Sequence, residues 1–448
     1  MHTTEPRVRL SEPLCSDIRA ERPFLVWSKM TPKLCALALL ACAAWGCEHG
    51  SVPLPDQGHA GSGGAAASGG EAGGGEGNAG GTAGEARCSN SATRLRSITL
   101  PNPMISLDKP VTASSGTSGQ NAAVDGTYHG ADKVGMGRPT PENPAWIAID
   151  VGTGPSRLLL VWTDASYNPY NIARNAPRAY SIETSSDSTD GEDGTWQTAV
   201  TVEDNPVRSR AHSFGFDQQR WVRMTVTEAS VCDAVDPSTC PAVNLDEIAL
   251  YDLSDSGDQR PEDTWFFMGD SITAGAFERN MTAAFRVDSR IHDAHEAFDP
   301  ATINGGIGGE LATDGLGHVD DWLQLNPDLN YFAIGYGTND SWGDKDPVAV
   351  GFEDTMVQIV EAVLDAGHVP VLARIPYASV AHSTVPAFNA IIDDLQARYD
   401  LPCGPDLYGY FAEHPDELGS DGIHPTGAGY ASLNGQWADA VDPLYADP

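Results

Sequence analysis

The pattern of apolar residues changes once along this 448-residue chain, near residue 260, and that change limits the folds open to it. Before it, short strand-like runs recur between turn residues, at 146–151, 157–162, 179–183, 221–226 and 247–251. Several alternate apolar and polar residues, as a sheet with one buried face requires. No helical periodicity of convincing length interrupts them, so a β-sandwich is expected over residues 88–255. After it, buried-type strand runs at 265–268, 331–334 and 369–373 alternate with helical patterns. Phe352, Met356, Ile359, Val360 and Val363 recur at helical spacing, as do Phe388, Ile391, Ile392 and Leu395. Strand–helix alternation predicts a three-layer α/β/α domain with a parallel sheet over residues 256–448. In such sheets, sites gather at the carboxyl ends of the strands.

The first 87 residues read differently. The apolar run at 34–45 is about a dozen residues, where a spanning helix needs roughly 20. With Lys29 and Lys33 before it, it has the form of a signal peptide started at Met30, within a leader ending at residue 47. The cysteines closing the run resemble a bacterial lipobox, with Cys47 the expected acylation site and Cys42 the alternative. Residues 48–87, rich in Gly, Ala and Ser, have too little apolar surface to fold and are expected to act as a flexible tether. An exported chain, secreted or held in the cell envelope, is permitted disulfides. Cys232 and Cys240, flanking a short loop, are the expected pair; Cys88 with Cys403 is an open alternative for the rest.

Charge excludes several partners. Asp and Glu number 62 against 26 Lys and Arg, a formal net charge of −36. Nucleic acids and anionic membrane surfaces are held by basic residues that this chain lacks, so neither is an expected partner. Contact with a membrane is expected only through a lipid anchor.

Four motifs follow the strand-like runs of the C-terminal region. Gly269-Asp270-Ser271 closes the first. Asn304 and Gly309-Glu310 follow. Gly337-Thr338-Asn339-Asp340 comes third, and Asp421-Gly-Ile-His424 stands before the last helix. Singly, each reads as a cap or a turn. In this order, on one expected sheet, they resemble the SGNH, or GDSL-type, hydrolases. The resemblance implies Ser271 as nucleophile, His424 as its base, Asp421 as orienting carboxylate, and an oxyanion hole from the Ser271 and Gly309 backbone N–H groups and the Asn339 amide. That set meets the needs of acyl transfer. Asp270 is expected to brace the turn. No metal-ligand cluster is visible, and no catalytic cofactor is expected.

The 88–255 region resembles the discoidin or coagulation-factor C-type galactose-binding-like jelly roll, through residues 121–126, 144–152, 221–226 and 245–252. Such modules often bind sugars and often carry a structural calcium, near Asp125 here, although a plain Asp-Gly turn explains Asp125 equally well. Trp162 reads as core rather than as a sugar platform with Tyr167 and Tyr170. Together the regions suggest an exported serine esterase acting on O-acetylated carbohydrate. A lipase or thioesterase of the same fold is the alternative, as is a tethered glycan-binding lipoprotein with an inactive hydrolase domain. Oligomeric state is not legible.

Overall fold

A computed structural model of the chain describes residues 97–127, 133–164, 175–230, 242–278 and 286–445. All lie in one compact unit. The leader, the tether, Tyr167, Tyr170, Cys232 and Cys240 fall outside the described residues. Cys403 is disulfide-bonded, and as the one cysteine among the described residues its partner lies outside them.

Among the described residues nine strands form the N-terminal region: β1 (Val111–Ala113), β2 (Val134–Gly137), β3 (Ala145–Asp150), β4 (Arg157–Asp164), β5 (Pro177–Ser185), β6 (Gln197–Val202), β7 (Ser209–Gly215), β8 (Trp221–Ala229) and β9 (Val243–Asp252). They make two antiparallel sheets, ordered β1-β3-β8-β5-β6 and β2-β9-β4-β7. Ile147, Ile149, Met224 and Ile182 from the first sheet meet Leu158, Leu160, Trp162 and Leu250 from the second in one core. Trp162 is fully buried there, and its indole N–H donates to the Tyr180 hydroxyl at 3.1 Å.

The C-terminal region holds a four-stranded parallel sheet of β10 (Thr264–Gly269), β11 (Ala301–Gly306), β12 (Tyr331–Gly335) and β13 (Val369–Leu372), ordered β11-β10-β12-β13. Its helices are α1 (Ser271–Glu278), α2 (Val287–Ala294), α3 (Ala312–Leu325), α4 (Phe352–Asp365), α5 (Val385–Arg398), α6 (Leu407–Glu413) and α7 (Gly427–Val441). Successive strand residues point to opposite faces, and here both faces are covered. Phe266, Met268, Phe332 and Ile334 pack under α3, α4 and α5. Trp265, Phe267, Tyr331 and Ala333 pack under α1, α2, α6 and α7. The helical spacing at 352–363 lands on α4, with all five named side chains buried.

The two regions share a core. Leu159, Val161, Ala211, Ala249 and Tyr251, on the outer face of the β2-β9-β4-β7 sheet, join the cluster beneath α3 to α5. This accounts for the unbroken apolar run of β4: odd and even residues are both buried, against different partners. Residues 98–102, expected within the sandwich, bond to the α/β layer, and Met104 then pairs with Tyr251 of β9. Ile98 N–H donates to the Leu444 carbonyl at 2.7 Å, and the Thr99 and Leu100 N–H groups donate to the Glu262 carboxylate.

Candidate active site

Gly269 ends β10. Its φ is not in the left-handed region, so what it provides is close approach. A Cβ here would lie 2.2 Å from Thr273 Oγ1 and 2.6 Å from the Gly335 carbonyl oxygen. Without it, Asp270 and Ser271 emerge directly into α1. Asp270 is buried, and its Oδ1 accepts the Ile272 N–H at 2.9 Å, so it braces the turn. Burial pushes its carboxyl up to about 6, against the Ile272 N–H and the nearby His424.

The chain from Leu418 to Pro425 folds back on itself. Gly419 N–H donates to the His424 carbonyl at 2.7 Å, and Leu418 pairs with Pro425. Asp421 Oδ1 accepts the Ile423 and His424 N–H groups at 3.0 Å each. Its Oδ2 lies 2.8 Å from His424 Nδ1. His424 Nε2 lies 2.7 Å from Ser271 Oγ. Asp421 is a pure acceptor when ionised, so Nδ1 carries the proton and Nε2 is free to accept the Ser271 hydroxyl. Partial burial alone would raise the Asp421 carboxyl, but the Ile423 N–H, the imidazole and the His424 N–H outweigh it and hold it below the usual carboxylate value. Both side chains of the pair are about one-third exposed, at 35% and 36%, so the site opens at the surface.

The other two expected residues stand on the neighbouring strand ends. Gly309 follows β11, is exposed, and has φ +83°, a conformation that strains any residue with a Cβ. Asn339 follows β12, and its amide Nδ2 donates to the Glu310 carbonyl at 2.8 Å. One amide hydrogen thereby ties the Asn339 loop to the Gly309 loop, and the second remains. The Ile307 N–H donates to the Gly269 carbonyl at 2.9 Å, drawing the Gly309 loop against the Ser271 turn.

Four supporting residues were not legible as such. Asp340 accepts the Ala312 N–H with both oxygens at 3.2 and 3.1 Å, capping α3. Glu310, buried beside Gly309, accepts the Tyr336 hydroxyl at 3.2 Å and faces His318 Nε2 at 3.1 Å. The hydrogen bond to Glu310 raises the His318 imidazole against its burial. Glu310 and Asp340 lie in the second and third motifs and Tyr336 directly precedes the third, whereas His318, eight residues past Glu310 on α3, had no signal at all.

The calcium expectation meets a different arrangement. Asp125 Oδ1 accepts the Thr127 N–H at 2.8 Å, closing a turn. The neighbouring Gly126 gives its N–H to Glu247 at 3.1 Å and accepts Arg286 Nη1 at 3.2 Å. The positive charge facing buried Glu247 is therefore a guanidinium, itself paired with Asp288. Among the described residues no group of three or more His, Cys, Asp or Glu could hold a metal ion.

Residues 267–432 match the model of the GDSL-like Lipase/Acylhydrolase family. A GDSL/SGNH-type hydrolase domain therefore occupies the C-terminal part of the chain. The chain is 26% identical over 183 residues, 41% of its length, to Thioesterase 1/protease 1/lysophospholipase L1 of Escherichia coli K12, of which it covers 85%. A lipase/acylhydrolase structure from Enterococcus faecalis aligns at 22% identity, over 40% of this chain and 95% of that one, with a TM-score of 0.34. An acetyl xylan esterase from Geobacillus stearothermophilus aligns at 17% identity, over 42% and 97%, with a TM-score of 0.34.

Proposed function

We propose that the C-terminal domain hydrolyses carboxylic esters through an acyl-enzyme on Ser271, and that its substrates are O-acetyl groups on carbohydrate. The observation that carries the chemistry is the continuous chain Ser271 Oγ–His424–Asp421, with contacts of 2.7 and 2.8 Å.

In the first half-reaction, Oγ attacks the ester carbonyl as its proton passes to Nε2. The oxyanion is held by N–H groups of the Ser271 and Gly309 backbone and the Asn339 amide. Collapse breaks the bond to the alcohol, which leaves with the proton from Nε2. In the second, a water gives its proton to Nε2 as its oxygen bonds the acyl carbon; the bond to Oγ then breaks, Oγ takes that proton back from Nε2, and acid and free Ser271 result. Throughout, Asp421 holds the imidazole in one tautomer and offsets its charge.

The carbohydrate reading is supported by two features. The site is open, so a bulky alcohol can reach Ser271. The region from residue 256 also carries 32 acidic against 7 basic residues, which favours a neutral substrate over a polyanion. The name of the Escherichia coli relative favours a second reading, thioester and lysolipid cleavage. We read the chain as exported, possession of a disulfide at Cys403 agreeing with an oxidising compartment. The adjoining sandwich is read as a galactose-binding-like module, and a lipid on Cys47 or Cys42 as its tie to a membrane.

The test is acetate release by the whole chain from acetylated xylan, beside thioester and lysolipid substrates, with Ser271→Ala as control. Loss of all activity in Ser271→Ala with preference for the polysaccharide is expected. Activity surviving Ser271→Ala would overturn the mechanism, and preference for acyl thioesters would overturn the substrate.

A further inference from the structure

Four large apolar side chains are exposed among the described residues: Leu107, Trp342, Val348 and Val380. Two of them flank the catalytic residues. Trp342 is 50% exposed and closes a turn with the oxyanion-hole candidate, its N–H donating to the Asn339 carbonyl at 3.4 Å. Val380 is 42% exposed, in the loop after β13. The Ser379 N–H donates to the Gly422 carbonyl at 2.8 Å, between Asp421 and His424. The Gly343 N–H donates to the Ala381 carbonyl at 3.1 Å, joining the Trp342 turn to the Val380 loop. One bonded rim thus runs from Asn339 through Trp342 and Val380 to His424.

The Trp342 indole is fixed on it. The ring packs nearly perpendicular to His382, 5.2 Å between centroids, and His382 is buried and lies 2.9 Å from Ser341 Oγ through Nδ1. A braced, half-exposed indole presents an apolar plane at low entropic cost.

We propose that Trp342 and Val380 form the subsite for the leaving alcohol, and that it takes a neutral sugar ring stacked on the indole. This rests on the esterase reading above and names the alcohol side of it. The departing oxygen takes its proton from His424 Nε2, so the alcohol lies on the His424 side of Ser271, to whose loop the Gly343–Ala381 and Ser379–Gly422 bonds tie the Trp342 turn. The character of the rim sets the class. An exposed indole on the same rim as exposed Val380 matches the apolar C–H face of a pyranose.

The test compares kcat/KM of the whole chain on acetylated xylo-oligosaccharide and on methyl acetate, which share the acyl group and differ in the alcohol. In Trp342→Ala, the ratio of sugar ester to methyl ester should fall about 5- to 10-fold, through KM on the sugar ester, and Trp342→Phe should restore most of it. The Asn339–residue 342 backbone bond survives both changes. An unchanged ratio in Trp342→Ala, with the wild type active on both esters, overturns the subsite alone. A defect that grows from methyl acetate to methyl octanoate places the acyl chain there and also overturns it. A wild type active on methyl acetate but on no sugar ester overturns the carbohydrate reading and the subsite with it.

Discussion

At the residue scale, the site separates groups that react from groups that hold. Asn339 is expected to supply a donor to the oxyanion while one amide hydrogen stays on Glu310. Asn339→Ala should lower kcat about 10²- to 10³-fold on acetate esters, with a smaller change in KM. Away from the site, Asp263 accepts the Tyr445 hydroxyl at 2.8 Å and the Trp265 indole N–H at 3.0 Å. Burial raises its carboxyl from 3.8 to about 7, against those two donors. The folded state therefore keeps this proton to higher pH than the unfolded chain does. Its contribution to stability is full below about pH 4 and is lost as pH rises to about 7. One pKa unit is worth about 1.4 kcal/mol, so the effect is measurable. Thermal melts of Asp263→Asn beside wild type should show the variant gaining relative stability from pH 4 to 7 and no further gain above.

At the element scale, strand ends do the positioning. β10, β11 and β12 finish level with one another, since Gly269 pairs with both Gly306 and Gly335. That register sets Ser271, Gly309 and Asn339 on one edge. Gly269→Ala would drive a methyl into the Gly335 carbonyl, which is backbone and cannot rotate away. A loss of about 1–3 kcal/mol is expected from denaturant titration, with a drop in kcat as the Ser271 turn shifts. The four motifs could be read from sequence because their order along the chain resembles that of the SGNH hydrolases. The strands β1, β2, β6 and β7 could not. β1 and β2 are short, and β6 is mostly exposed, so it carries little apolar pattern. β7 reads Ser-Arg-Ala-His-Ser-Phe-Gly, polar residues whose burial comes from partners far away in the chain. His212 shows this: it lies 2.7 Å from Tyr180, and burial lowers its imidazole to about 3.

At the scale of the whole described unit, the sandwich and the α/β layer are not independent beads. Leu159 is fully buried on the sheet face turned to the α/β core. Leu159→Ala should cost about 2–5 kcal/mol although it lies outside the hydrolase motifs. Calorimetry of wild type should show a single transition for the two regions, and Leu159→Ala should lower it as one. Separate transitions, with only the sandwich shifted, would show that the shared core does not couple them. The same packing leaves a hydrolase fragment begun at residue 256 without Ile98, Leu159, Val161 and Tyr251, so the whole chain is the proper object for assay.

By itself, the sequence determined the two fold classes, because periodicity is a local property, and it offered the triad candidates Ser271, Asp421 and His424 and the oxyanion candidates through the order of four motifs that resemble one hydrolase family. Tertiary structure alone decided the joint between the regions and the Arg286 guanidinium beside Glu247. It also decided the rim that brings Trp342 to the His424 loop. Each depends on contacts between segments distant in the chain, and burial against a remote partner leaves no periodic trace in either segment.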